Sequence, residues 1–224
     1  MGDPRYQDLE TLIKEYEADT KTIRSDKLII RNYPKVFTMS VASSFEYYVK
    51  QDLDAFLTNP LHSIASSFPN IQHMIGSSNT TPVSERMYKK FYTKPTLTAD
   101  PFYQLFTGAQ FKGLVQNNFN AERTQQLQAI TTQVSALEGL LGASDAIDDD
   151  YIIKAEKKER LEQLTFDVAE QAFLNLKLRR NHVAHDYLHG LSDTFVDIRN
   201  FYYDAVIYVI ALSKTIADLT QPTT

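Results

Sequence analysis

The residues best suited to chemistry lie close together near the end of the sequence. Between Leu174 and Gly190 the chain places a lysine, two arginines and three of its five histidines in a stretch whose pattern otherwise predicts a helix. Arg180 and His185 are separated by four residues. On an ideal helix Asn181 and His185 share one face, one turn apart, and Arg180 flanks Asn181. A permanent cation, an amide and an imidazole that titrates near neutral pH therefore line one helix edge.

This combination suits the cleavage of a phosphodiester in RNA. The ribose 2′-hydroxyl is the nucleophile, so the protein needs no serine or cysteine for this role. His185 would move protons, and Arg180 would stabilise the charge that builds on the phosphate. One helix offers one such set, and sites of this kind are commonly built from two copies across a two-fold axis.

Two other interpretations of the same stretch remain open. His182 and His189 are seven residues apart, with His185 and Asp186 between them, and three imidazoles and a carboxylate can bind Zn²⁺. Gly190 argues against a zinc site because it ends the helix close to His189, so we expect neither a metal nor another cofactor. In the second interpretation the cations are purely structural, since arginine and histidine stabilise the negative end of a helix.

Composition excludes several classes of protein. The chain has 224 residues, a formal net charge of −5 and no cysteine, which rules out disulfides and thiolate metal sites. A negative chain must bind nucleic acid through a local basic patch. The N-terminus does not resemble a signal peptide, and the apolar run 205–212 is far shorter than the ~20 residues of a membrane span. We expect a cytoplasmic protein without membrane contact.

Helical periodicity recurs along the whole chain, and no strand pattern is found, so the predicted fold class is all-α. Helices are expected at 5–23, after Pro34, from Ser84 to Tyr92, from Asn120 to about Leu141, from the acidic triplet at 148–150 onward, and after a cap at Ser192.

Additional candidates for RNA binding lie outside the central stretch. Glu46 follows small and apolar residues in the helix after Pro34. Lys89 and Lys90 alternate with aromatic residues, a combination that single-stranded nucleic acid binding uses. An ordinary amphipathic turn is the alternative. Within the central stretch, Lys177 and Arg179 complete the set of predicted RNA-binding residues, and Arg179 also competes with Arg180 for the catalytic role.

The string Leu178-Arg179-Arg180-Asn181-His182-Val183-Ala184-His185 resembles the R-x4-H signature of HEPN domains. An apolar helix precedes it, and a short linker and a capped final helix follow it. The stretch VFTMSVASSFEYYVKQDL also resembles the first core helix of the RNA-cleaving branch, in particular small bacterial proteins of the RiboL-PSP type. Asp186 stands where the family often has glycine. The resemblance covers about 36–57 and 152–219.

The resemblance implies one HEPN-like up-and-down helical bundle spanning 1–224, with core helices in 36–57 and 152–219 and an insertion of unassigned role at 60–150. It implies a homodimer whose motifs meet at the interface, with Phe201 and Tyr202 nearby. The implied activity is metal-independent endonucleolytic cleavage of RNA, leaving 2′,3′-cyclic phosphates, in a toxin or an antiviral defence effector with a possible antitoxin or defence partner. Arg180, Asn181 and His185 take the catalytic positions. The alternative is a non-catalytic interaction module, such as an antitoxin or a regulatory subunit.

Overall fold

The computed structural model describes residues 3–23, 27–67, 83–92, 105–106, 108–141, 149–185 and 192–221. Within these ranges the chain forms helices and no strand, apart from one isolated bridge between Pro60 and Thr220. The predicted all-α class is confirmed for the described residues. The helices are α1 (Gln7–Thr22), α2 (Leu28–Thr58), α3 (His62–Ser67), α4 (Val83–Lys90), α5 (Ala109–Leu141), α6 (Asp149–Gln163), α7 (Phe166–His185) and α8 (Phe195–Asp218).

The helices are grouped in two compact units. The first unit comprises Met1–Ala42 and Phe119–Tyr208, and the second comprises Ser43–Asn118 and Val209–Thr224. The boundary between the units falls inside α2, α5 and α8. The candidate catalytic stretch belongs entirely to the first unit. A single domain with an insertion at 60–150 stays a prediction. None of the described helices combines the length and the apolar character of a membrane-spanning segment.

The core of the first unit is built around Phe195, the first residue of α8. Its ring stacks on Tyr16 of α1 with 3.7 Å between centroids, and it contacts Phe37 of α2 at 5.1 Å. Only 2% of Phe195 is exposed. Aromatic side chains bury large apolar areas, so Phe195 anchors the start of α8 against two other helices.

A polar network ties α1 and α6 to α8. Arg199 donates to Glu17 (3.1 Å) and to Glu156 (2.8 Å), although only 8% of its side chain is exposed. Arg160 pairs with Asp204 in the same way. Buried cations and carboxylates are tolerated only when they are paired, so these bonds restrict how the three helices can pack.

The tyrosines of α8 are also buried in the first unit. Tyr202, Tyr203 and Tyr208 are each at most 7% exposed. The hydroxyl of Tyr202 donates to Glu10 at 3.1 Å. Burial raises the pKa of all three phenols, because it disfavours the charged phenolate.

A short break between α6 and α7 determines where the motif helix begins. Arg123 of α5 donates to the carbonyl oxygens of Leu161 (2.7 Å) and Glu162 (2.6 Å), which satisfies two acceptors at the end of α6. Thr165 then precedes α7, and its hydroxyl accepts from the amide of Val168 at 3.4 Å. The sequence predicted one helix with a possible bend here, and the structure contains two helices.

One face of α7 packs into the core of the first unit. Its buried residues recur at helical spacing. They are Phe166, Ala169, Ala172, Phe173, Leu176 and Val183. Phe173 contacts Tyr208 of α8 with 5.3 Å between ring centroids. This burial fixes which side of the motif helix remains accessible.

The second unit has its own aromatic core, and hydrogen bonds hold its last described residue, Gln221. Phe106 contacts Phe56 of α2 and Phe111 of α5, both edge-on at about 5 Å. The main chain of Gln221 donates to Asn59, and its side chain donates to Pro60 at 2.9 Å. These two bonds hold Gln221 against the residues that follow α2.

Three predicted helix starts are wrong. α2 begins at Leu28 and not at Pro34, because Ile30 is buried and Tyr33 contacts α1, which stabilises the turn before the proline. α5 begins before Asn120, since the buried residues of its first turns continue the apolar face upstream. α8 begins at Phe195, and its cap is Thr194 and not Ser192.

The cap of α8 generates a stability prediction. The Thr194 hydroxyl accepts from the Asp197 amide, and the Asp197 carboxylate accepts from the Thr194 amide at 2.8 Å. Thr194→Ala should therefore lower the free energy of unfolding by about 1 kcal/mol at pH 7, measured by urea denaturation. The exposed Thr132→Ala in α5 is the control, with an expected change below about 0.5 kcal/mol.

The stability that this cap contributes should depend on pH. The hydrogen bonds from Thr194 lower the pKa of Asp197. A carboxyl with a lowered pKa stabilises the folded state above its unfolded pKa of about 3.9, and this contribution is lost as the pH falls through the lowered folded value. The difference between wild type and Thr194→Ala should shrink below pH 4. An equal difference at pH 7 and at acidic pH would contradict this account of the cap.

Candidate active site

The last two turns of α7 carry the three predicted catalytic residues. His185 is exposed and is the final residue of the helix, while Arg180 and Asn181 are half-buried. A guanidinium nitrogen of Arg180 (Nη1) donates to Oδ1 of Asn181 at 3.4 Å. Asn181 lies one turn before His185 on the same side of the helix. The structure thus brings Arg180 into contact with Asn181, and a catalytic edge shared with His185 stays a prediction.

Lys177 extends this edge in the opposite direction. Lys177, Asn181 and His185 follow one another at four-residue steps, which rise about 6 Å each along a helix. Lys177 is half-buried. A cation, an amide and an imidazole therefore follow a single line on α7. Donors and cations in a row are what a nucleic acid backbone requires, since most contacts to it go to phosphate oxygens.

Arg179 occupies a different environment from Arg180. Its Nη2 donates to Oδ1 of Asp193 at 2.9 Å, and its Cζ lies 4.1 Å from the ring centroid of Phe201 in α8. Consecutive helical residues point about 100° apart, so the two arginines point in different directions from α7. The structure thus distinguishes two residues that the sequence left as competitors. Arg179 is engaged within the protein, whereas Arg180 bonds only to Asn181 among the described residues.

Sequence reasoning missed Asp193 and Phe201, the two residues that hold Arg179. Asp193 directly precedes the Thr194 cap, and Phe201 lies two turns into α8. The signal available in the sequence was the cap itself, because a Thr-x-x-Asp pattern marks a helix start and so places Asp193 at a fixed helix entry. The wrong choice of Ser192 as the cap obscured it.

The metal interpretation involves residues only partly described. His182 is exposed on α7, whereas Asp186 and His189 lie outside the described residues. Among the described residues, no group of three or more histidine and carboxylate side chains is placed to hold a metal ion.

Glu46, Lys89 and Lys90 belong to the second unit, and the structure places two of them in a chain of ion pairs. Lys50 contacts Glu46 at 2.6 Å and Glu85 at 3.8 Å, and Glu85 also contacts Lys89 at 2.7 Å. Acidic and basic groups alternate in this chain, so its net charge is zero. Local neutrality weakens the attraction of this surface for phosphates. Their assignment to RNA binding stays a prediction.

The exposed side of α7 presents a regular stripe. Its residues alternate at three- and four-residue steps, the spacing of a helix–helix seam. They are Val168, Gln171, Asn175, Leu178, His182 and His185. Leu178 is 55% exposed and Val168 is 50% exposed, which is unusual for apolar side chains on a helix of a compact unit. We call this set of six residues the α7 stripe.

The aromatic residues expected near a dimer interface are engaged within the first unit. Tyr202 is only 1% exposed, and its hydroxyl bonds to Glu10. The ring of Phe201 is covered by the guanidinium of Arg179. That these residues lie near an interface stays a prediction.

The two arginines should differ in their effect on stability. Arg179→Ala removes an ion pair and a cation–aromatic contact that leave only 23% of the side chain exposed, so it should cost about 1 kcal/mol in urea denaturation. Arg180→Ala is the matched control and should change the free energy of unfolding by less than about 0.5 kcal/mol. A larger loss for Arg180→Ala would mean that Arg180 has a structural role that these contacts do not reveal.

No family model matches the chain, and no curated protein or solved structure is significantly similar to it. The candidate site is therefore defined by the chemistry and placement of the α7 side chains. Its central feature is a contact between Arg180 and Asn181, one turn before the exposed His185.

Proposed function

We propose that this protein is a metal-independent endoribonuclease of the HEPN type, with Arg180, Asn181 and His185 as its catalytic residues. The observation that carries the proposal is the separation of the two arginines. Arg179 is bound by Asp193 and Phe201, while Arg180 is held beside Asn181, one turn from the exposed His185. A cation and a proton-transfer group then lie on one accessible edge, as cleavage of a phosphodiester requires.

The reaction needs no nucleophile from the protein. The 2′-oxygen of the ribose attacks the adjacent phosphorus after it loses its proton to an imidazole. The bond from phosphorus to the 5′-oxygen breaks, and the leaving oxygen takes up a proton. The products are a 2′,3′-cyclic phosphate and a 5′-hydroxyl. Arg180 stabilises the additional negative charge on the phosphate oxygens, and Asn181 keeps the guanidinium in place.

Two proton transfers favour two imidazoles and therefore two copies of the chain. One copy supplies His185 as the base, and the second copy supplies its own His185 as the acid. The α7 stripe is suited to this pairing, because it is a surface that can meet an identical copy of itself across a two-fold axis. It combines the exposed Leu178 and Val168 with His182 and His185. A toxin or an antiviral defence effector is the role proposed for such a ribonuclease.

The alternative is a non-catalytic interaction module, such as an antitoxin or a regulatory subunit. The observations that favour it are the net charge of −5 and the neutral chain of ion pairs through Lys50. Both weaken general attraction to RNA. The alternative predicts that RNA is not cleaved and that the α7 stripe binds another protein.

Cleavage of a labelled RNA under single-turnover conditions tests the proposal. The wild-type protein should cleave in EDTA and leave 2′,3′-cyclic phosphate ends. His185→Ala should slow cleavage by about 10² to 10⁴, the usual contribution of a positioned acid or base. Arg180→Ala should slow it by about 10² to 10³, since it removes charge stabilisation from the transition state.

His182→Ala is the matched control for these variants. His182 is exposed on the same helix, three residues before His185, and takes no part in the proposed proton transfers, so a His182→Ala variant that remains dimeric should cleave at the wild-type rate. Loss of activity in EDTA that Zn²⁺ restores, together with an inactive His182→Ala, would favour the zinc interpretation. A folded His185→Ala that cleaves at the wild-type rate would refute the assignment of His185.

The oligomeric state provides a separate test. Light scattering at micromolar concentrations should give twice the 25.6 kDa mass of the chain, since a stable interface buries about 800 Å² on each partner. Leu178→Asp should produce a monomer and abolish cleavage, because it places charges at the centre of the α7 stripe. Leu114→Asp, at a 41% exposed leucine of α5, should remain dimeric and active. A wild-type monomer that cleaves RNA would refute the two-copy site.

A further inference from the structure

We infer that the ion pair between Arg179 and Asp193 is a positioning device that holds the catalytic end of α7 against the start of α8. The inference rests on the proposed ribonuclease function. It assigns Arg179 to positioning and not to substrate binding, and it adds Asp193 and Phe201 to the residues on which cleavage depends.

The end of α7 needs support of this kind. The last four carbonyl groups of a helix have no partners within it, and helix ends therefore fray. His185 lies in this weak last turn of α7, and Arg180 and Asn181 lie in the turn directly before it. Cleavage requires these groups to keep a fixed geometry, because an error of about 1 Å can cost two orders of magnitude in rate.

Two contacts hold this end in place from the side of the core. Val183 is only 2% exposed and anchors the last turn. Arg179 contributes the second contact, one residue before Arg180, through its bond to Asp193 at 2.9 Å. The two residues that make these contacts therefore lie before and after Arg180 and Asn181 in the sequence.

Asp193 is a suitable anchor because its neighbours are fixed. The adjacent Thr194 forms the reciprocal cap with Asp197. Phe195 is 2% exposed and stacks on Tyr16. The side chain of Asp193 therefore connects the motif helix to the rigid start of α8.

The surroundings of Arg179 argue against a direct contact with RNA. One face of its guanidinium lies 4.1 Å from the ring of Phe201, and its charge is paired with Asp193. Only 23% of its side chain is exposed. A phosphate would have to displace the carboxylate before it could bind.

Positioning and RNA binding, the two roles considered for Arg179, predict different effects of Asp193→Ala on cleavage. If Arg179 positions the motif, Arg179→Ala and Asp193→Ala should each slow cleavage at saturating RNA by about 10- to 100-fold. The double variant should be no slower than either single variant, because both remove the same contact. RNA affinity, measured by fluorescence anisotropy in the non-cleaving His185→Ala background, should be unchanged.

If Arg179 binds RNA instead, Asp193→Ala should keep full activity and bind RNA as tightly as wild type or more tightly. Arg179→Ala should then weaken binding and reduce the salt dependence of the affinity by about one phosphate contact. This outcome would overturn the inference. The exchanged pair Arg179→Asp with Asp193→Arg should recover a large part of the rate only if the two side chains act through each other.

A spectroscopic measurement separates the inference from the proposed function. The imidazole signals of His185 in a nuclear magnetic resonance spectrum should change in Arg179→Ala and in Asp193→Ala, and return toward wild type in the exchanged pair. Failure of the wild type to cleave any RNA would refute the ribonuclease, but these signals would still report on positioning. Unchanged His185 signals in both single variants would refute positioning even in an active enzyme.

Discussion

The first unit depends on the burial of Phe195. Its ring fixes where α8 starts, because it packs against Tyr16 of α1 and Phe37 of α2. The cap residue Thr194 and the anchor Asp193 precede it immediately, so their positions follow from the same burial. The orientation of the end of α7 that carries Arg180 and His185 thus depends on an aromatic cluster and not only on the R-x4-H sequence. In a chain with the same R-x4-H sequence but without this aromatic cluster, Arg179 would have no fixed partner.

Charged groups then restrict the packing that the aromatic cluster begins. Apolar contacts alone are non-directional, so helices in contact through them can shift along one another. Arg199 pairs with Glu17 of α1 and Glu156 of α6 from a buried site. Breaking a buried pair by removing one partner typically costs about 3–5 kcal/mol, which disfavours any packing that separates these residues. Polar groups therefore determine the direction and register of helix packing in the first unit, while aromatic side chains supply most of the buried area.

Periodicity was sufficient to predict the all-α class, and to predict that Asn181 and His185 lie one turn apart on α7. These features are local, since the spacing of residues along one helix determines which of them share a face. The start of α2 was not predictable in this way, because contacts of Tyr33 and Ile30 with other helices outweigh the tendency of Pro34 to begin a helix. The ion pair of Arg179 was equally inaccessible. It depends on Asp193, fourteen residues away, and only the tertiary structure brings the two together.

The burial of tyrosines in α8 limits the alkaline pH range in which the protein stays folded. Tyr202, Tyr203 and Tyr208 all have raised pKa values in the folded state because they are buried. In alkali an unfolded chain releases these protons near pH 10, while the folded chain retains them. The unfolded state then binds fewer protons, so stability falls as the pH rises above about 10. With 13 tyrosines and no tryptophan, the chain reports this transition itself, since the ultraviolet absorbance of newly ionised phenolates accompanies unfolding.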